Sequence, residues 1–213
     1  EGYSTTICFD PITDILTDDV EGAQGQSYNY TDENLAHRAV YTWQSNMYLL
    51  LSDYNMTNLL HTYQNLYKCI MACNLVIDAL PEMEYVEADS GLYNFLAANA
   101  YAMRAYHYWC LVNSYALPWS EENLDKPGVI IRTEPQIDTR ARSRSSIRDV
   151  YELINGDIEK AEKYINVATF DGNIHRLSEP AVLLLASRIA LFQENWDEVI
   201  RVGKLFLAQN SIV

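Results

Sequence analysis

Apolar side chains recur at three- and four-residue spacing through most of this chain, and strict alternation is nearly absent. Between 57 and 80 the recurring positions are Leu59, Leu60, Tyr63, Leu66, Tyr67, Ile70, Met71, Asn74, Leu75 and Ile77. That period predicts a long amphipathic helix with a thin polar face, stopped by Pro81. A second helix is predicted over 92–115, where Ala97, Ala98, Ala100, Ala102 and Ala105 favour helix and allow close approach of a neighbour. Asp89 or Ser90 is its candidate cap, and Pro118 closes the run.

Ser145 or Ser146 is placed to cap a third helix reaching about residue 166, with Ile147, Val150, Tyr151, Ile154, Ile158, Ala161 and Ile165 on its stripe. Two shorter segments, 178–192 and 196–208, are separated only by a brief turn and read as a helical hairpin. Weak strand character is confined to 129–132. The expected fold is all-α, with paired helices that suggest tetratricopeptide-like hairpins, and two long irregular stretches at 1–45 and 119–144.

Composition narrows the function classes. Among 213 residues, 29 acidic side chains against 15 basic ones give a net charge of -14, which repels nucleic acid and anionic membrane surfaces. The basic exception is local: Arg140, Arg142, Arg144 and Arg148. A hydrophobic content of 49% is too high for a disordered acidic tail. No run of eighteen uncharged apolar residues predicts a membrane-spanning helix. Cys69 and Cys73, four apart on one helix face, together with Cys8 and Cys110, are read as free thiols, with no metal site and no cofactor expected.

Enzyme signatures are missing: there is no GxSxG, HExxH, P-loop or GxGxxG. His37, His61, His107 and His175 share no ligand spacing, and the paired acids Asp18/Asp19, Glu82/Glu84 and Glu121/Glu122 read as solvated loop charge. Asp14, Asp18 and Asp19 offer hard oxygens for calcium, but not at EF-hand spacing. Aromatics in the irregular stretches are more telling. Trp43, with Tyr41 before it and Asn46 after it, and Trp119, following Pro118, suit stacking on the C–H face of a sugar while amides and carboxylates take its hydroxyls. Trp109 and Trp196 fall at helix-packing positions and are expected in the core. Arg104 and Arg188 sit among inward-facing residues, so each is expected to be a partly buried anchor needing a partner.

The order of these features resembles the SusD/RagB family. Residues 63–77, Tyr-Gln-Asn-Leu-Tyr-Lys-Cys-Ile-Met-Ala-Cys-Asn-Leu-Val-Ile, resemble a family helix that carries a Leu-Tyr pair and a Cys-Asn pair followed by Val-Ile, here Leu66-Tyr67, Cys73-Asn74 and Val76-Ile77. Ala102-Met103-Arg104-Ala105 through Pro118 resembles the next helix. Pro127-Gly128-Val129, then Arg144 to Tyr151 and Asp157 to Ala161, continue the pattern, and Ala181 to Val199 resembles its tetratricopeptide hairpin. The resemblance implies the N-terminal part of a SusD-like domain over 1–213, with binding loops 1–45 and 119–144 on a helical scaffold of 57–115 and 145–209. It implies a non-catalytic cell-surface lipoprotein of the outer membrane that captures glycans for a TonB-dependent, SusC-like transporter. The lipid anchor would lie outside these residues, as would the family's first helix and its later half. Trp43 and Asn46 resemble a tryptophan-asparagine pair that contacts ligand in the family. Tyr41, Trp119, Asp18 and Asp19 complete the expected binding set, with Asn74, Arg104, Arg188, Trp109 and Trp196 as structural residues. The competing expectation is a helical interaction module that docks on the transporter or a peptide without touching glycan; a helical glycoside hydrolase is a third.

Overall fold

The computed structural model describes residues 40, 42–47, 49–50, 62–136, 140–170, 172–173 and 175–209. Among the described residues the helices with set bounds are, in order, α1 (Thr62–Ala79), α2 (Ser90–Tyr115), α3 (Ile147–Ile165), α4 (Glu179–Phe192) and α5 (Trp196–Gln209). Among the described residues no strand forms. The 129–132 segment runs irregularly instead, and the nearest thing to a ladder is a single antiparallel bridge between Pro127 and Ser146. Two compact units divide the chain, 1–66 and 67–213.

Helix ends follow local chemistry. α1 gives way at Ala79 to a 3-10 turn, Leu80–Glu82, with Pro81 in its first positions. The N-terminus of α3 is a capping box. The Asp149 N–H donates to Ser146 Oγ and the Ser146 N–H to Asp149 Oδ2, both at 3.1 Å, so two donors that the helix leaves orphaned are satisfied reciprocally. These bonds from Ser146 hold the Asp149 carboxyl below its ordinary range. Asp89 and Ser178 occupy the corresponding positions of α2 and α4, but neither side chain bonds to its helix.

In the larger unit, α2 and α3 pack along their lengths. Phe95, Ala98 and Ala102 meet Ala161 and Ile165, joined by Val182 of α4. Further along, Arg104 meets Asp157. Contacts therefore ascend α2 as they descend α3, so the helices are antiparallel. The small alanines allow the close approach, and Gly91 continues it: a Cβ there would fall 2.2 Å from Thr169 Oγ1, whose backbone N–H donates to the Gly91 carbonyl. Asn99 fastens the connection before α4, donating to the Leu177 carbonyl at 3.1 Å and accepting from its N–H at 2.9 Å.

α4 and α5 form a hairpin. Its turn carries Glu194 at a left-handed φ of 55°, and Asn195 Oδ1 accepts from the Glu198 N–H at 3.3 Å, capping α5. Arg201 donates to Glu162 on α3 and to Glu198, tying the hairpin back to α3.

Two expectations about the hairpin fail. Trp196 is 57% exposed rather than core, because the inward positions of α5 are Val199, Val202 and Phe206, and Trp196 lies off that line. Arg188 is exposed rather than a buried anchor. It shares the outer face of α4 with Leu184 and Leu191, while Val182, Leu183, Ala186, Ile189 and Ala190 take the inner one. Trp109 is half-buried, edge-on to Phe192 of α4 at 4.9 Å between ring centres.

Candidate functional site

The tryptophan turn of the smaller unit is held by its backbone. The Trp43 N–H donates to the Val40 carbonyl at 2.9 Å, the Met47 N–H to Gln44 at 3.0 Å, and the Leu49 and Leu50 N–H groups to Asn46 at 3.0 and 3.2 Å. Val40 is fully buried while the Trp43 indole is 69% exposed. Trp43 also sits at φ 54°, a left-handed conformation that bulky L-residues rarely adopt. A large aromatic that is strained at its backbone and unburied at its ring gains little for the fold. Such an outlier points toward function. The Asn46 side chain, three residues on, is exposed as well. Together they offer an apolar ring face and an amide on one small turn, chemistry suited to a neutral polyhydroxylated ligand. Of the other expected binding residues, Tyr41, Asp18 and Asp19 lie outside the described residues, as do Cys8, His37 and His61.

In the larger unit, the long connection between α2 and α3 is clamped. Tyr67 Oη donates to the Ile130 carbonyl at 2.7 Å and Asn74 Nδ2 to the Arg132 carbonyl at 2.9 Å. Tyr108 Oη bonds both backbone groups of Arg132, donating to its carbonyl and accepting from its N–H, each at 2.7 Å. Burial pushes the Tyr108 phenol up to about 12, so it stays protonated and able to donate. Gly128 lies against the start of α3, its N–H donating to the Ser145 carbonyl at 2.7 Å. A Cβ there would stand 3.0–3.1 Å from the Ser146 carbonyl oxygen, the Ile147 nitrogen and the Ser145 carbonyl oxygen, which explains glycine in the Pro-Gly-Val motif. Trp119 is half-buried, edge-on to the buried Tyr151 at 4.6 Å. That contact anchors the connection and occupies part of the indole.

The basic cluster is largely spoken for. Arg142 pairs with Glu134 at 3.2 Å and Arg148 with Asp125 at 3.1 Å, and Arg144 donates to the Gly128 and Tyr115 carbonyls. Beneath the clamp lies a buried polar network. Arg104, 4% exposed, makes two 2.7 Å bonds to Asp157 and one of 2.9 Å to Asn74 Oδ1. Burial alone would lower the Arg104 pKa, but its hydrogen bonds and charge contact with Asp157 carry it upward, and the guanidinium stays charged. Asp157 was not singled out from the sequence. Its signal was its register, three residues after Ile154 and four before Ala161 on the apolar stripe of α3, where an unpaired acid is costly. Among the described residues, no cluster of three or more His, Cys, Asp or Glu side chains is placed to hold a metal. No described helix is long and apolar enough to cross a membrane.

Comparison with known proteins matches residues 10–191 to a SusD-like family described as "Starch-binding associating with outer membrane". A SusD-like protein of Formosa agariphila is 29% identical over 152 residues, 70% of this chain and 26% of the relative. A solved SusD-like carbohydrate-binding protein of Bacteroides vulgatus superposes with a TM-score of 0.64 at 21% identity, over 88% of this chain and 36% of that one. A SusD superfamily protein of Bacteroides thetaiotaomicron does so with a TM-score of 0.61 at 20% identity, over 88% and 37%. The chain thus spans about a quarter to just over a third of the length of these relatives.

Proposed function

We propose that this chain, which belongs to the SusD-like family, is part of a non-catalytic glycan-capture protein whose contact with sugar includes the Trp43–Asn46 turn. The carrying observation is the exposed, left-handed Trp43 beside an exposed amide. An indole face stacks on the C–H face of a pyranose while Asn46 reaches a hydroxyl, an arrangement that binds weakly per site and gains strength along a polymer by multivalency. The net charge of -14 favours neutral glycans over polyanionic ones. The carbohydrate-binding description of the Bacteroides vulgatus relative supports the ligand class. In this reading Tyr41, Asp18, Asp19 and Trp119 border the same function, and the α4–α5 hairpin is a tetratricopeptide-like unit of the scaffold.

The family's description as associating with the outer membrane supports a cell-surface location and delivery to a TonB-dependent, SusC-like transporter. Calorimetric titration against a panel of neutral oligosaccharides tests the ligand arm. Trp43→Ala and Asn46→Ala are expected to weaken the best ligand at least about tenfold, or about 1.4 kcal/mol. Unchanged affinity in both variants removes the assignment. Co-purification with a transporter barrel, in a chain that binds none of the panel, favours an interaction module instead.

A further inference from the structure

We propose that the Arg104–Asp157 pair positions the α2–α3 connection through Asn74, by fixing which way round the Asn74 amide stands. The inference concerns how that stretch is held, and it stands whether or not the stretch touches sugar. Asp157 of α3 takes Nε and Nη2 of the guanidinium, each at 2.7 Å, and so sets the plane of the fork. The remaining branch, Nη1, donates to Asn74 Oδ1 of α1 at 2.9 Å. The other end of the same amide, Nδ2, donates to the Arg132 carbonyl at 2.9 Å. An amide has one accepting and one donating end. Turned over, it would set its NH2 against a guanidinium N–H and its oxygen against a carbonyl oxygen. Asn74 is 2% exposed, so bulk water is in no position to relieve either clash. A cation at Oδ1 also polarises the amide and strengthens Nδ2 as a donor.

The segment that receives this bond depends on side chains. Among the described residues, no main-chain-to-main-chain hydrogen bond reaches 130–136, and the nearest such ties before it join Gly128 and Val129 to Ser145. Ile130 is held by Tyr67, and Arg132 by Asn74 and Tyr108. A segment fastened in this way can come loose locally while the helices stay folded. The two holds on Arg132 differ in kind. Tyr108 reaches its carbonyl and N–H directly, through a hydroxyl that rotates to suit. Asn74 bonds it only in the orientation that Arg104 dictates. The charge pair between α2 and α3 thereby sets part of the free energy that docks a stretch to which it makes no hydrogen bond of its own.

Hydrogen exchange at the Arg132 amide, measured in the native protein against core amides of α2 and α3, tests this. Asn74→Leu is expected to speed Arg132 exchange at least about tenfold relative to those core amides. The joint Arg104→Met/Asp157→Leu variant leaves Asn74 in place and is expected to speed it at least about fivefold. Asn74→Leu added to that background is expected to contribute less than about twofold more, since the amide has already lost its orientation. Tyr67→Phe removes a direct hold on the neighbouring Ile130 and is expected to act by the same factor in both backgrounds, which separates a broken relay from general loosening. Arg104→Lys keeps a charge opposite Asp157 without the fork. It is expected to loosen Arg132 as the joint variant does, so the outcome does not hang on the joint variant folding. Arg132 exchange that merely follows the core amides in these Arg104 variants overturns the proposal. So does an Asn74→Leu factor that is equal in both backgrounds.

Discussion

The guanidinium of Arg104 and the carboxylate of Asp157 face each other across α2 and α3 through paired 2.7 Å hydrogen bonds, with 5% and 1% of their side chains exposed. Asn74 of α1 closes the third side at 2.9 Å. Taking either charge away leaves the other dry and uncompensated. Asp157→Ala is expected to cost about 3–5 kcal/mol in urea unfolding. A joint Arg104→Met/Asp157→Leu replacement is expected to recover much of that loss. Equal destabilisation of single and double variants would show that packing, not charge, dominates the contact.

His107 is 2% exposed, and its ring nitrogens make no bond of normal geometry. Burial lowers its pKa from 6.5 to about 4, with only weak opposition from the Met103 carbonyl one turn back. The unfolded chain therefore takes up a proton near pH 6.5 that the folded chain refuses until near pH 4. Stability is expected to be fully present above pH 6.5 and to fall by about 3 kcal/mol as pH drops between these values. His107→Phe should flatten this part of the denaturation midpoint profile. An unaltered slope would place the acid sensitivity elsewhere.

Gly128→Ala pushes a methyl group onto backbone atoms that cannot swing aside. A loss of about 1–3 kcal/mol is expected, with faster hydrogen exchange at the Gly128 and Ser145 amides, which bond across this contact. Wild-type exchange at those amides would mean that the connection shifts without strain.

Trp43→Gly separates strain from function. Glycine accepts φ 54° freely, so the variant is expected to match or exceed wild-type stability, by up to about 1 kcal/mol, while losing sugar affinity. Lower stability together with retained affinity would reverse both roles of the residue.

The helices were legible because each carries an apolar stripe that ends at a proline, a serine or a short polar turn, as Pro81, Ser146 and Glu194–Asn195 do. Burial on individual faces was less so. Trp196 and Arg188 have neighbours typical of a core, yet exposure depends on which side of α4 and α5 meets α3, and no local pattern encodes that. The exposure of Trp43 belongs to the same class: composition marks an aromatic near amides, but only its backbone angle reveals the conformational cost. The ties around Arg132 were hidden for another reason. Tyr67, Asn74 and Tyr108 bind main-chain groups, and a main-chain acceptor leaves no trace in residue identity.

That anonymity of the acceptors has an evolutionary consequence. The span between α2 and α3 is fastened at the carbonyls of Gly128, Ile130 and Arg132, which every residue type possesses. Side chains along its outward side can drift without loosening the fastening, provided the fixed tyrosines, asparagine and arginine beneath are kept. In such a design the outward residues are exchangeable while the way the span is held stays the same.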